Sequence, residues 1–521
     1  MNRDLMIKQL EANKNTWDIV VVGGGATGLG AALESATRGY NTLLLEQDDF
    51  SKGTSSRSTK LVHGGVRYLA QGDVSLVLEA LHERGLLMNN APHLVRNQAF
   101  IIPTYAWWGG PFYTVGLKVY DMMAGKLGLG PSVHISKEKV LKSIPTLRTD
   151  GLKGGVIYHD GQFDDSRLAI NLAQTFVENG GTILNYAKVT SLTKDSTGLI
   201  NGLTFTDVES DKEYTINAKA VVNATGVWVD DIMHMDNPKE KANVKPSQGV
   251  HLILEKEFLQ GDHAIMIPKT DDGRVLFAVP WHNKVVVGTT DTLVDHASLE
   301  PRALKQEVKF ILDTAGRYLT RKPTAKDVKS IFAGLRPLAA PSGDSKKTKE
   351  ISRSHKLIVS ISGLVTITGG KWTTYRKMGE DTIDKAAMIA GLVDQKSVTK
   401  RMAIHGYLRN FDPQDPLYYY GSDISRIKQL IQEDSSLGEL IHPSMDYIKA
   451  QIVWAARFEM ARNVEDVLAR RVRALFLDAR ASVEMAPEVA RILAQELHKD
   501  ETWQKDQIAA YTELAKGYIL E

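Results

Sequence analysis

The sequence predicts an α/β chain (α+β overall), with a Rossmann-like dinucleotide-binding domain, an antiparallel β-sheet domain and a C-terminal helical domain. Three observations carry this expectation. A glycine-rich turn joins a β-branched run to a helix in "IVVVGGGATGLGAALESATRG". The middle of the chain is rich in β-branched residues broken by polar turns, and after about Val398 apolar residues recur at helical spacing.

Taken in order, "MNRDLMIKQLEANKNTW" is polar and charged and lacks the continuous apolar core of a signal peptide. Ile19 to Val22 is apolar on both faces, as in a buried parallel strand. Gly23 to Gly30 opens a helix that runs to Arg38, and "NTLLLE" supplies a second strand, closing a βαβ unit. Between about Ala187 and Thr225, "VTSLTKD", "INGLTFTD" and "EYTINAKAVVNATG" read as an antiparallel meander leading into one more buried strand. From about Val250 to Asp291 the chain stays β-rich, and "RVLFAVPWHNKVVVGTTD" reads as a hairpin turning at Trp281-His282-Asn283. "LIVSISGLVTITGG" is a buried strand ending in a turn. In the tail Ile448, Ile452, Ala455 and Ala456 lie at helical spacing, and "NVEDVLARRVRALFLDAR" continues the pattern, so a separate helical domain is expected.

Composition narrows the function. A chain of 521 residues is expected to hold two or three domains, and 43% hydrophobic with 24% charged residues is ordinary for a protein with a large core. A net charge of +2 gives no reason to expect nucleic acid, so any basic site must be local. With no cysteine, disulfides, thiolate metal sites, iron–sulfur ligation and a cysteinyl flavin bond are excluded, and a reducing compartment suits the chain. No stretch approaches the roughly 20 apolar residues of a membrane-spanning helix. The expectation is a cytosolic protein or one attached peripherally to a membrane.

Gly23-x-Gly25-x-x-Gly28 lies between a strand and a helix, the setting a dinucleotide fingerprint needs. Its glycines allow a tight turn and let the backbone approach a pyrophosphate at the positive end of the helix. Glu46 ends the second strand at about the distance expected of an acidic residue bonding a ribose, which argues against a 2′-phosphate and hence against NADP. A strand ending in "NATG" (Asn223 to Gly226) and another ending in "TGGKWTTYRK" (Thr368 to Lys377) read as distant parts of one discontinuous domain. FAD, longer than NAD at its reactive end, needs such distant contributions.

Together "GGGATGLGAALESATRG", "TSSRSTKLVHGGVRYL", "NATGVWVDD", "GTTDT", "GLRPL" and "GGKWTTYRKMGED" resemble the FAD-dependent glycerol-3-phosphate dehydrogenases. These are glutathione-reductase-like flavoproteins in the branch that also holds D-amino-acid and sarcosine oxidases. The resemblance runs from about Trp17 to Asp381 and continues weakly into the tail, where "RFEMARNVEDVLARR" is similar to that family's C-terminal cap. It implies a discontinuous FAD-binding domain over 17–90, 151–240 and 351–397, a substrate-binding domain over 91–150 and 241–350, and a helical cap over 398–521. The implied reaction is oxidation of sn-glycerol 3-phosphate to dihydroxyacetone phosphate by hydride transfer from C2 to flavin N5. The rivals are a glycerol-3-phosphate oxidase using O2 and an amine or amino-acid oxidase of the same fold. An amine oxidase would need a carboxylate-binding Arg and an apolar pocket, not several cations.

A small dianionic alcohol calls for cations on its phosphate and a base for its hydroxyl, and the planar fork of Arg suits phosphate best. By resemblance Arg67, Arg336 and Arg353 fall in the substrate pocket, with Tyr68 beside them. His63 and His251 are the candidate bases, because an imidazole can accept a proton near neutral pH. Lys371 is implied to lie near flavin and substrate, where its charge would steady a developing anion. Cofactor contacts are expected from Gly23, Gly25, Ala26, Thr27, Gly28 and Glu46, and from Thr54, Ser55, Ser56, Ser58, Lys60, His63, Gly64 and Gly65. Ala224, Thr225, Gly226, Gly370, Lys371 and Thr373 complete that set, and no metal is expected.

By the same resemblance the electrons pass to a membrane quinone or to O2. "YAWWGGPFYTVGLKVYDMMAGKLG" concentrates Trp107, Trp108, Phe112, Tyr113 and Tyr120 with Lys118 and Lys126, which suits an interfacial anchor or a helix packed on the core. Arg470, Arg471, Arg473 and Arg480 read as a solvated helix face, with anionic lipid as the alternative. The combined expectation is a quinone-linked enzyme held peripherally on the cytoplasmic face of the inner membrane, with a homodimer as a further option.

Overall fold

Residues Ile19 to Val21 are wholly buried and β-branched, and they sit where such residues must, in the middle of a sheet covered on both faces. The computed structural model describes residues 1–69, 72–106, 109–268, 270, 273–339 and 354–520, and of residues 67, 68, 111 and 339 the backbone alone. Strand Trp17–Val22 pairs in parallel with Thr42–Leu45 on one side and with Lys212–Asn223 on the other. Lys212–Asn223 pairs in turn with Val365–Gly369, and His355–Val359 closes that edge antiparallel. Thr182–Leu184 forms the opposite edge, and the meander Ala187–Lys194, Ile200–Asp207, Lys212–Asn223 branches off this sheet. Because the inner strands are parallel, the ends of three of them, at Val22, Asn223 and Gly369, open on the same side, the place where open α/β sheets bind ligands.

The second sheet has ten strands and is mostly antiparallel. Near one edge lies the long strand Val244–Glu255, flanked by Lys284–Gly288 and Ser330–Ala339. The expected hairpin is present: Leu276–Trp281 and Lys284–Gly288 are joined through His282 and Asn283, both at positive φ (44° and 56°), as a two-residue type I′ connection requires. One boundary differs from expectation. Leu61–Val62 and Gly154–Phe163, assigned above to the nucleotide unit, pair with each other and belong to the second sheet. "GGVIYHDGQF" hides its strand because two of its glycines serve close approach, and a Cβ on Gly161 would lie 2.6 Å from Val62.

The helical C-terminal domain is present and packs directly on the first sheet. Val20, Leu44 and Phe50 of the first sheet share one continuous apolar core with Trp454, Leu468 and Phe476 of the tail. The reading of the tail arginines is overturned: Arg470, Arg471 and Arg473 are 2%, 0% and 1% exposed, whereas Arg480 reaches solvent. A six-residue π-helical turn, Asp466–Arg471, aims both Arg470 and Arg471 inward. Arg471 grips Asp49 at 2.5 and 2.9 Å, and Arg470 reaches the same carboxylate while holding Glu465 at 2.6 Å and Asp466 at 2.7 Å. Burial alone would push the Asp49 carboxyl up, but Arg471 and Arg470 overcome it and hold it below the ordinary carboxylate range. Asp49 follows directly on the second strand of the βαβ unit, so these ion pairs tie the tail to the nucleotide domain.

Removing one partner of a buried ion pair leaves the other charge uncompensated. Asp49→Asn, nearly isosteric but neutral, is therefore expected to destabilise the protein by about 3–5 kcal/mol. Arg480→Ala on the exposed face should change stability by less than about 0.5 kcal/mol. Denaturant midpoints of the two variants check the contrast, and equal midpoints would remove the anchoring role.

Candidate active site

The glycine turn is dictated by space. Gly23 has φ +112°, and a Cβ there would stand 2.6 Å from the Ala224 carbonyl oxygen. A Cβ on Gly28 would fall 1.8 Å from the Gly23 carbonyl oxygen. The turn therefore lies flat against the strand end carrying Ala224 and delivers the N-terminus of helix Ala26–Thr37, capped at Gly25. That helix crosses helix Tyr375–Ile389 glycine to glycine: a Cβ on Gly379 would meet the Gly30 carbonyl at 2.6 Å. This crossing draws the distant turn Gly369–Lys371 onto the first βαβ unit.

A cleft of about 420 Å³ runs along these strand ends. Its walls pass from Glu46 and Ala187–Val189, past Gly23, Gly25–Thr27 and Ala224–Trp228, to Ser55, His63 and Gly369–Thr373. Glu46 accepts from the Gly24 amide at 2.6 Å and the Asp48 amide at 2.9 Å, and burial nevertheless pushes its carboxyl up to about 7. The Ala26 amide, the first of the helix, donates to Ser55 Oγ at 2.9 Å. Glycines a side chain would obstruct, a helix N-terminus and a carboxylate at a strand end fit a dinucleotide, and two further strand ends along the cleft fit one with a long reactive arm.

The loop Gly53–Lys60 divides differently from expectation. Thr54, Ser55, Ser58 and Thr59 line the cleft, and the loop is pinned by Thr54 Oγ1 donating to the Leu335 carbonyl and Trp372 Nε1 donating to the Ser55 carbonyl, at 2.5 and 2.8 Å. Ser56 and Lys60 do not line it. Lys60 is fully buried, donates to Asp165 and to the Ser56 carbonyl at 2.7 Å each, and lies against the rings of Trp281, Phe332 and Phe476. It holds the loop from behind, and desolvation lowers its ammonium to about 7. Gly28 and Gly64 likewise shape the backbone instead of lining the cleft, and Gly65 lines a neighbouring cavity.

That second cavity, about 200 Å³, shares Thr59, Leu61, His63 and Arg336 with the cleft and adds Tyr158, Asp160, Arg274, Thr289 and Asp291. Arg336 sits in strand Ser330–Ala339 with Nη2 3.2 Å from Thr289 Oγ1 and Nη1 3.4 Å from Asp291. Its guanidinium lies over Gly249, where a Cβ would come within 2.4 Å of it. His251, two residues on, crosses the sheet opposite Gly288, where a Cβ would strike its ring at 2.4 Å. His251 stacks on Phe332 and shares a 2.9 Å hydrogen bond between Nε2 and Thr59 Oγ1. Burial, then the charges of Arg336 and Lys60, lower its pKa well below 6.5, so it stands neutral. Lys371 caps the turn Trp372–Thr374 and lines the cleft.

The structure thus brings His63, His251, Arg336 and Lys371 to one place, on elements far apart in sequence. Arg353 and the side chains of Arg67 and Tyr68 lie outside the described residues. Arg274 was missed; it stands two residues before strand Leu276–Trp281 and belongs to no motif. Gly249 and Gly288 were missed too, although isolated glycines in strands mark close approach.

Residues 18–376 match the family described as FAD dependent oxidoreductase, and residues 367–504 match the C-terminal domain of alpha-glycerophosphate oxidase. A probable mitochondrial glycerol-3-phosphate dehydrogenase of Caenorhabditis elegans is 38% identical, over 96% of this chain and 73% of that protein. The mitochondrial glycerol-3-phosphate dehydrogenase of Homo sapiens is 36% identical, over 95% of this chain and 72% of that protein. Among solved structures, glycerol-3-phosphate dehydrogenase from Bacillus halodurans complexed with FAD superposes with a TM-score of 0.80 at 30% identity, covering 99% of this chain and 97% of that one.

The turn geometry has a direct check. Gly28→Ala puts a methyl 1.8 Å from a carbonyl oxygen and should lower dinucleotide affinity by at least about 1.4 kcal/mol, or tenfold. Gly116→Ala, in open space on a helix, should leave it unchanged. Dinucleotide released per chain from the purified variants measures both.

Proposed function

The chain belongs to the FAD-dependent glycerol-3-phosphate dehydrogenase family, and from that membership we propose that it oxidises sn-glycerol 3-phosphate at C2 to dihydroxyacetone phosphate and passes the electrons to a membrane quinone. The observation that carries this reading is the junction of the two cavities. Arg336 and His63 line both, Arg274 stands in the wall of the smaller, and Lys371 in the wall of the larger. Cations around a small cavity suit a dianion and do not suit an amine, and the two carboxylates in its wall, Asp291 and Asp160, are bonded to Arg336 and Arg84.

FAD, when bound, supplies the two-electron acceptor for the C2 hydride. Gly23–Thr27, Glu46, Thr54, Ser55, Ser58, Ala224–Gly226, Gly370 and Thr373 are the residues that would hold it. Arg336, oriented by Thr289 and Asp291, donates to the substrate phosphate as a fixed fork. His63, which lines both cavities, takes the hydroxyl proton, and His251, held neutral by burial and by the charges of Arg336 and Lys60, orients Thr59 through their hydrogen bond. The Lys371 ammonium steadies the developing alkoxide.

The quinone reading is supported by one surface. Helix Gly109–Ala124 exposes Phe112, Val115, Val119 and Met122 at helical spacing, 65%, 66%, 38% and 73% exposed. Val74 and Leu78 of the neighbouring helix Val74–Asn90 are exposed as well. Lys118 on the same helix is exposed, as an interfacial helix requires. Trp107 and Trp108 lie outside the described residues, and Tyr120 is buried and takes no part in this face. Among the described residues no helix is long and apolar enough to cross a membrane, so contact would be peripheral. Attachment to the cytoplasmic face of an inner membrane is part of this proposal.

Anaerobic addition of glycerol 3-phosphate should bleach the flavin of the wild type, and an unchanged spectrum would remove the reaction. Arg336→Ala should keep the flavin spectrum and raise KM about 100-fold, roughly 2.7 kcal/mol, the size of a charge-assisted contact. In a flotation assay with phosphatidylglycerol-containing vesicles the wild type should rise with the lipid. Phe112→Asp/Met122→Asp should stay behind while retaining dye-linked activity; a wild type left wholly in the soluble fraction would count against docking.

A further inference from the structure

We propose that the Tyr120 hydroxyl is a positioning group for the active-site loop: it fixes the Gly64 amide and thereby sets where His63 stands between the two cavities. The inference rests on the dehydrogenase reading and deepens it. Tyr120 comes from helix Gly109–Ala124, the same helix whose outer face carries Phe112 and Met122, but its own side chain turns inward and is 1% exposed. It lines neither cavity, so any effect on the reaction passes through another residue.

The hydrogen bonds have a single direction. The Gly64 amide donates to Tyr120 Oη at 2.8 Å, and Tyr120 Oη donates to Asp160 Oδ2 at 2.9 Å. Asp160 is itself held by Arg84 Nη1 at 2.7 Å, and it stays an acceptor. The phenol has one proton, which must go to the carboxylate, so its lone pair faces the loop amide. Burial, with the Asp160 charge beside it, pushes the phenol well above its ordinary pKa and keeps that proton in place.

Space makes the contact specific. A Cβ on Gly64 would lie 2.6 Å from Tyr120 Oη and 2.6 Å from Leu81, so the loop can rest on the hydroxyl when residue 64 is glycine. Immediately before it, the His63 amide donates to Thr373 Oγ1 at 3.2 Å, on the turn that carries Lys371. Consecutive amides are thus held by hydroxyls from opposite sides, Thr373 from the cofactor side and Tyr120 from the outer helix. Gly65 then turns with φ +77° into the short helix Val66–Leu69. Asp160, at the far end of the relay, lines the second cavity together with His63. A loop so tethered holds its imidazole in register with a small substrate, where misplacement by about 1 Å can cost about 100-fold in rate.

The test uses full-length FAD-loaded enzyme and two measurements. Tyr120→Phe keeps the ring and removes the hydroxyl. Hydrogen exchange in the peptide spanning 61–69 should quicken at least about tenfold. The limiting rate of flavin reduction by glycerol 3-phosphate should fall about 10- to 100-fold, with the flavin absorbance unchanged. Wild-type exchange or wild-type reduction in Tyr120→Phe would overturn the proposal. A wild type that glycerol 3-phosphate does not reduce would instead sink the dehydrogenase reading, and the exchange comparison would still decide whether Tyr120 holds the loop.

Discussion

The carboxylate of Asp165 is the point on which the rest of the molecule depends. It is fully buried, and a buried charge is tolerated when its lone pairs are all occupied. Here they are: Ser58 donates through its amide and its hydroxyl at 3.0 and 2.7 Å, Lys60 Nζ at 2.7 Å, Arg473 Nη2 at 3.0 Å, and the Ser166 amide at 2.9 Å. Those donors come from the cofactor loop, from the helix Asp165–Glu178 and from the C-terminal tail. Satisfying one anion therefore forces three remote segments to meet. The loop Gly53–Lys60 is thereby held with Thr54, Ser55 and Thr59 lining the cleft and with Ser58 and Lys60 bonded to Asp165. Arg473 and Lys60 face the same aromatic rings of Trp281 and Phe476, so the polar knot is sealed by apolar surface and not by water.

How much of this was legible in the sequence depends on the range of the physics involved. The glycine turn, the meander and the hairpin at His282-Asn283 are local, set by φ and by alternation, and each appears where the pattern puts it. The "NATG" and "TGGK" ends are also legible as strand ends, and their parallel pairing brings them to Gly23. Charge was read less well. Arg470, Arg471 and Arg473 looked like a solvated face because a sequence shows that a side chain is cationic but not that Asp49 and Asp165 wait for it. Lys60 was misplaced for the same reason, its neighbours in the chain being cofactor residues while its partner lies 105 positions away. Arg274 carried no motif at all, and became visible when the second cavity was formed.

Glycines explain why so small a site can hold so many long side chains. Gly249 and Gly288 each stand where a methyl group would strike the working side chain, Arg336 in one case and His251 in the other. In an antiparallel sheet the residue beside or opposite a functional one shares its face, so a bulky neighbour would occupy the room that the guanidinium or imidazole needs. The glycines weaken the strands locally. The long pairing of Val244–Glu255 with Ser330–Ala339 offsets this by fixing the register from Val244 to Ile253 without a break.

That register separates two kinds of precision. Arg336 is embedded in a strand paired along its whole length, and its guanidinium is held by Thr289 and Asp291. His63 and Lys371 instead follow strand ends, and their positions are set by single hydroxyl groups and positive-φ glycines. In glycerol 3-phosphate the charged group and the reacting carbon are separated by one methylene and one ester oxygen. On the dehydrogenase reading a phosphate anchored at Arg336 limits the reach of C2, and the groups on the loops must meet it there. On that reading affinity for the dianion belongs to the second sheet, and alignment at C2 belongs to the tethers that hold the turns. A surface helix whose Tyr120 supplies one of those tethers belongs, on the proposal made above, to the active-site architecture, although its described side chains line neither cavity.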